Sequence, residues 1–183
     1  MPEQLVRYAG ELAQTRLASE PGLLGRSARA GAQADVAAQA LARPRPEMLV
    51  AAAWLHAIGS GGADVRTGFA PVDGGLELLS LGWPQPVISL VAHQAQSRMI
   101  AKYMVASHEL SLIPRIQGWP ADILDFAILT SGPDGHAQSV ADGLAGVEAS
   151  QAADGRIPPD VAQKRLARLE RAGRRVERAL GTT

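Results

Sequence analysis

The sequence predicts an all-α, single-domain protein, and three observations carry that prediction. Apolar residues recur at helical spacing through most of the 183 residues, and no stretch alternates apolar and polar as a half-buried strand does. Clusters of Pro and Gly cut the chain into helix-length pieces. Apolar residues make up 46% of the chain and charged residues 20%, a balance that can bury a core and is not that of a disordered segment.

Each element follows from its own pattern. Glu3 to Ala18 carries Leu5, Tyr8, Ala9, Leu12 and Leu17 at roughly helical period, and Pro21-Gly22 is read as its end. Arg26 to Ala42 is Ala-rich and helix-favouring until "RPRP" at 43–46 stops it. Glu47 to Ile58 is apolar nearly all round, the signature of a central buried helix. "GSGG" at 59–62 ends it, and a loop is expected to Phe69. Pro71 and Asp73 suit the first turn of a helix reaching Leu81. After "GWPQP" the pattern predicts one helix from Val87 towards Ala106. Trp119-Pro120 opens another to Thr130, "SGPDG" closes it, and short helical turns are expected over 138–149. Pro159-Asp160 begins a last helix ending at Gly181, with Val161, Leu166, Leu169, Val176 and Leu180 on one stripe.

Composition excludes several function classes. The absence of cysteine removes disulfides, thiol nucleophiles and zinc knuckles. A formal net charge of zero argues against nucleic acid as a partner. No secretory leader and no bilayer-length apolar run is recognisable, so the expectation is a soluble, cytoplasmic protein without a membrane partner. The neutral total hides an asymmetry, because residues 160–180 hold seven Lys or Arg against three acids. That basic face reads as a solvated surface with i,i+4 pairs such as Glu170 with Arg174, or as a docking surface for an acidic protein, a phosphate-bearing ligand or a partner subunit. Assembly into an oligomer is left open.

Five phrases occur in a fixed order: "GRSARAGAQADVAAQAL", "EMLVAAAWLHAIGSG", "TGFAPVDGGLELLSLGWP", "VISLVAHQAQSRMIA" and "DILDFAILTSGPDG". The succession is similar to that of the HD-domain superfamily of metal-dependent phosphohydrolases. It most resembles a bacterial branch with phrases like "TGFHPLDG", "VAHHSGAR" and "ADMTTGPDG". The resemblance covers residues 22–142. It implies an HD-domain-like helical bundle with an N-terminal helix (1–21) packed on it and a C-terminal extension (143–183) bearing the basic amphipathic helix.

The resemblance also implies a metal centre, and there this chain departs from the pattern. In the family, imidazole and carboxylate ligands hold a divalent ion that acidifies a bound water. The first His of the family aligns with Arg26. The His of the His-Asp pair is kept as His56, but its Asp is Ala57. The later Asp falls at Ile128, the auxiliary His at Ala70, and the second His of "HH" at Gln94, leaving His93. A lone imidazole beside a permanent cation is a poor divalent site. No metal and no other cofactor is therefore expected.

The remaining polar residues define the candidate site. His56 reads as a buried histidine satisfied by a backbone carbonyl, or as a pocket donor or general base. His93 with Ser97, and Gln94 with Arg98, form two i,i+4 rows on what reads as one helix. That helix face is either solvated or a pocket wall. Arg26 either pairs with an acid such as Asp125 or holds the phosphate or carboxylate of a ligand. The candidate ligand-binding set is thus Arg26, His56, His93, Gln94, Ser97 and Arg98, with His56 and His93 the candidate acid-base groups. "TSGPDG" is explained by its turn, "GSGG" lacks the lysine and strand of a phosphate loop, and Trp54, Trp83 and Trp119 read as packing residues.

The expected function is that of a degenerate HD-domain pseudoenzyme, a small-ligand-sensing or protein-interaction module for an anionic small molecule or an acidic protein surface. The alternative is a metal-independent isomerase, lyase or cyclase using His56 or His93. A residual metal-dependent phosphohydrolase is the minor third reading.

Overall fold

Ten-residue helix α3 (Pro46–Leu55) organises the molecule, because nearly every side of it is apolar and must be covered. In the computed structural model, which describes residues 2–61 and 65–181, Leu49, Val50, Ala51, Ala52, Ala53 and Leu55 are all buried. Around it pack α1 (Pro2–Arg16), α2 (Pro21–Ala40), α6 (Gln85–His93) and α8 (Trp119–Leu129). Its small side chains let neighbours approach closely, and the Trp54 indole lies where a Cβ on Gly31 of α2 would sit. The short α4 (Ile58–Gly61) and α5 (Ala70–Ser80) follow, α5 lying against α6. Then come α7 (Ser107–Ser111), α9 (Val140–Asp154) and α10 (Pro159–Leu180), which packs on α8 and α9.

The all-α, single-domain prediction holds. Among the described residues there is no strand, only an isolated antiparallel bridge between Ser131 and Ala137. No helix there is long and apolar enough to cross a membrane.

Local chemistry sets the boundaries. Proline occupies the first or second position of α2, α3, α5, α6, α8 and α10, where its missing N–H costs nothing. Helix α9 begins with a reciprocal capping box between Ser139 and Asp142 and ends on Gly155 at φ 69°. Four expectations are corrected. Pro21-Gly22 opens α2 rather than closing α1, because Pro at N1 is a start signal. The central helix stops at Leu55, and His56 and Ala57 form a turn before α4. The turns expected over 138–149 are one fifteen-residue helix. The helix expected from Val87 to Ala106 stops at His93, followed by a kinked 3-10 segment over Gln94–Met99. Of the loop expected from Gly59 to Phe69, residues 62–64 lie outside the described residues.

"TGFAPVDGG" has a structural role. Buried Asp73 accepts hydrogen bonds from the Thr67 amide (2.8 Å), the Thr67 hydroxyl (2.9 Å) and the Gly68 amide (2.9 Å), tying the loop onto the first turn of α5. Buried Glu77, one turn further on, pairs with Arg16 of α1.

Gly59 sits three residues beyond His56 where α4 meets α5. A Cβ there would run into the Ala70 carbonyl and the Gly74 amide. Gly59→Ala is therefore expected to cost about 2–3 kcal/mol in urea melts. Gly146→Ala, on the open side of α9 with nothing within 4 Å, is expected to stabilise by about 0.5–1 kcal/mol. Equal effects of the two would show that α4 and α5 do not meet this closely.

Candidate functional site

The site is shaped by two consecutive residues with left-handed backbones. Ala95 (φ 49°, ψ 35°) and Gln96 (φ 55°, ψ 33°) follow one residue after α6, which ends at His93. Such a conformation costs a non-glycine residue about 1–2 kcal/mol, so something must hold it. The Ala95 amide donates to the Asp125 carboxylate at 2.6 Å, and the Ala95 carbonyl accepts from Arg165 Nε at 2.8 Å. The Gln96 side-chain amide gives Asp125 a second bond at 3.1 Å. Ser97, fully buried, closes the break by donating its hydroxyl to the Ala92 carbonyl at 2.7 Å.

This break divides the predicted i,i+4 rows. Gln94 points inward and is 5% exposed, and its Nε2 donates to the His56 carbonyl at 2.6 Å, joining the ends of α6 and α3. His93 and Arg98 face a different recess. Ser97 is held as part of the turn rather than presented to a ligand. The candidate set is therefore not one cluster: Arg26, His56 and Gln94 share a cavity, and His93 and Arg98 share another.

The first cavity, of about 470 Å³, is lined by Arg26, His56, Ala57, Ala70, Gln94 and Ile128 together with residues of α9 and α10. These six are the positions at which the resemblance implied metal ligands and their auxiliaries, and the fold brings them together from five separate segments. The residues present do not suit a divalent ion. His56 is the only imidazole or carboxylate among the six, and among the described residues no group of three or more His, Cys, Asp or Glu is placed to hold a metal.

The cavity is instead electropositive. Arg26 Nη2 donates to the Ile128 carbonyl at 3.3 Å, while its Nε is buried without a partner. Of the two alternatives for Arg26, pairing with Asp125 does not form, because that carboxylate is committed to Ala95 and Gln96. Arg165 also lines the cavity and bonds Gln151 Oε1 at 2.9 Å. None of the ion pairs among the described residues involves Arg26 or Arg165. One acid, Asp142, reaches the rim, where it is exposed and bonded to Ser139.

Sequence reasoning passed over Arg165. Its signal lay in the stripe of the last helix: Val161, Arg165, Leu169, Ala172 and Val176 follow one another at helical spacing, so a cation stands where an apolar residue is due. The basic face itself is less free than expected. Arg175 bonds Asp122 at 2.5 Å and lies 3.9 Å over the Trp119 ring, whereas Arg168 and Arg171 are exposed.

Comparison with protein-family models, with curated proteins and with solved structures finds no significant match to this chain.

Two buried groups have displaced pKa values. His56 is lowered to about 4, first by burial and then by the Arg26 charge, against the hydrogen bond between Nδ1 and the Ala53 carbonyl (2.8 Å). Neutral His56 thus donates from Nδ1 and keeps Nε2 as an acceptor. Asp125 is raised to about 6 by burial, against its bonds from Gln96 and Ala95. The two act on stability with opposite signs. Below 6.5 the unfolded chain protonates His56 while the folded one does not, so stability falls as pH drops from 6.5 towards 4. Asp125 in the folded state keeps its proton where the unfolded chain has lost it, so stability falls as pH rises from 3.8 towards 6.

These slopes nearly cancel between pH 4 and 6. Removing either group should uncover the other: His56→Gln is expected to lose about 1–3 kcal/mol as pH rises across that window, and Asp125→Asn to gain a similar amount. Urea melts at half-unit pH steps check this. Parallel profiles for the two variants would contradict the assignment.

Proposed function

We propose that this chain is a degenerate member of the HD-domain superfamily whose former metal cavity now binds an anionic small molecule without a metal, in a cytoplasmic ligand-sensing role. One observation carries the reading: six positions between 26 and 128, matched to the family's ligand positions from sequence, line a single open cavity. Its volume of about 470 Å³ is in the range that encloses a metabolite-sized ligand. Had the cavity been only a relic, apolar replacements could have filled it. Ala57 and Ile128 supply apolar wall, but Arg26 supplies an under-bonded guanidinium.

Physical chemistry favours an anion. Two guanidinium groups that form no ion pair line one partly desolvated space, Arg26 with an unpartnered Nε, and a carboxylate or phosphate oxygen is the group they favour. Neutral His56 adds an acceptor for a ligand hydroxyl or amide. The same neutrality weakens the acid-base reading, since a base held near pKa 4 abstracts protons poorly at neutral pH. His93 does not line this cavity.

Native mass spectrometry and elemental analysis of protein purified without added metal test the proposal together. A small organic adduct is expected, lost in Arg26→Gln and in the cavity-filling Ala57→Met, with transition metal far below one ion per chain. Near-stoichiometric Fe, Mn or Zn would overturn the metal-free reading. An adduct retained in both variants would place the ligand elsewhere.

A further inference from the structure

On the other side of the Ala95–Gln96 turn lie two adjoining hollows, of about 520 and 250 Å³, that share His93, Arg98 and Arg115. Lys102 extends the larger and Arg168 of α10 the smaller. The cations come from separate parts of the chain: the 3-10 segment, the turn after it, the loop before α8, and α10. Among the described residues, no acid lines either hollow. Arg98, Lys102, Arg115 and Arg168 are exposed, and none forms an ion pair among the described residues. Lys102 rests over the Tyr103 ring at 4.7 Å.

An ordinary solvated face looks different on this same molecule. On α10, Lys164 pairs with Asp160 at 3.1 Å, and Arg174 with Glu170 and Glu177 at 3.9 and 3.4 Å. Arg168 has no such option, because its helical neighbours three and four residues away are Lys164, Arg165, Arg171 and Ala172. The recess therefore concentrates positive charge that the protein does not neutralise. The His93 ring in its wall bonds the Ile113 carbonyl through Nε2 at 2.9 Å, while its buried Nδ1 has no partner.

We infer that this recess is a second binding site, for a soluble small molecule bearing phosphate or pyrophosphate. Several guanidinium forks converging on a concave surface match the oxygens of a phosphoryl group, each fork able to bond two of them. The divided, metabolite-sized hollows suit a compact polyanion rather than an extended polymer. The neutral total charge of the chain points the same way. The inference does not rest on the reading of the His56 cavity, which is lined by a different set of cations.

Calorimetric titration of the full chain with inorganic pyrophosphate tests it, with sulfate at matched ionic strength as the reference anion. Pyrophosphate is expected to bind at least about tenfold more tightly than sulfate. Arg98→Gln, Arg115→Gln and Arg168→Gln should each weaken it by about tenfold while melting like the parent, because these side chains hold no other residue. Lys164→Gln, whose side chain pairs with Asp160 outside the recess, should leave it unchanged. Equal affinity for the two anions would overturn the site, and so would loss of binding in Arg26→Gln, which would put the anion in the other cavity. Displacement of pyrophosphate by a DNA oligonucleotide, dependent on the same arginines and tighter per site, would overturn the small-molecule assignment in favour of a polymer.

Discussion

The clamp on the Ala95 peptide is the contact from which the rest of the site takes its shape. Two left-handed residues in succession are unfavourable on their own, and a hydrogen bond to each side of Ala95 offsets that cost. Both partners are themselves expensive to bury. Asp125 is pushed towards its neutral form, and burial lowers the Arg165 pKa to about 10 despite the nearby Asp125 charge. Carboxylate, peptide and guanidinium thus satisfy one another in series, and removing one member would strand the others. Because α6 ends here, Gln94 turns in towards His56 and His93 turns away. Two electropositive concavities result where a continuous helix would have made one face.

Helix positions were legible because they rest on local rules. Apolar periodicity placed α3 and α10, and Pro71, Pro120 and Pro159 marked helix starts, whereas Pro21 read as an end although it opens α2. The cavity was legible in part, through the order of the five phrases, which located Arg26, His56, Ala57 and Ile128 on one wall. The turn at Ala95–Gln96 was not. Neither residue favours a left-handed backbone, and "VAHQAQSRMIA" reads as helix throughout; the break is imposed by Asp125 and Arg165, 30 and 70 residues away. Pairing Asp125 with Arg26 failed for the same reason. A backbone amide from another segment takes the carboxylate first.

Charge placement separates the two concavities. Arg26 and Arg165 are shielded from water and bonded to carbonyl oxygens, so a ligand there exchanges little hydration for direct contact. Arg98, Arg115 and Arg168 are exposed to water, and their attraction for an anion is screened by salt. The cavity, with its half-buried guanidinium groups, is suited to selecting a ligand by direct contact, the recess, with its exposed ones, to attracting one by charge.

The bond from Arg165 to Ala95 spans 70 residues, and this has a consequence for biosynthesis. While a nascent chain is still emerging, α1 to α6 and α8 can assemble around the apolar α3 as soon as each leaves the ribosome. The Ala95 carbonyl has no guanidinium to meet until residue 165 is also outside. Until then the left-handed pair lacks one of its two restraints, and the segment after α6 is free to continue as the helix its own residues favour. The cavity lined by Arg165 and the hollow lined by Arg168 are therefore complete only after the C-terminal helix docks, whereas the larger hollow, between His93 and Arg115, needs no residue of that helix.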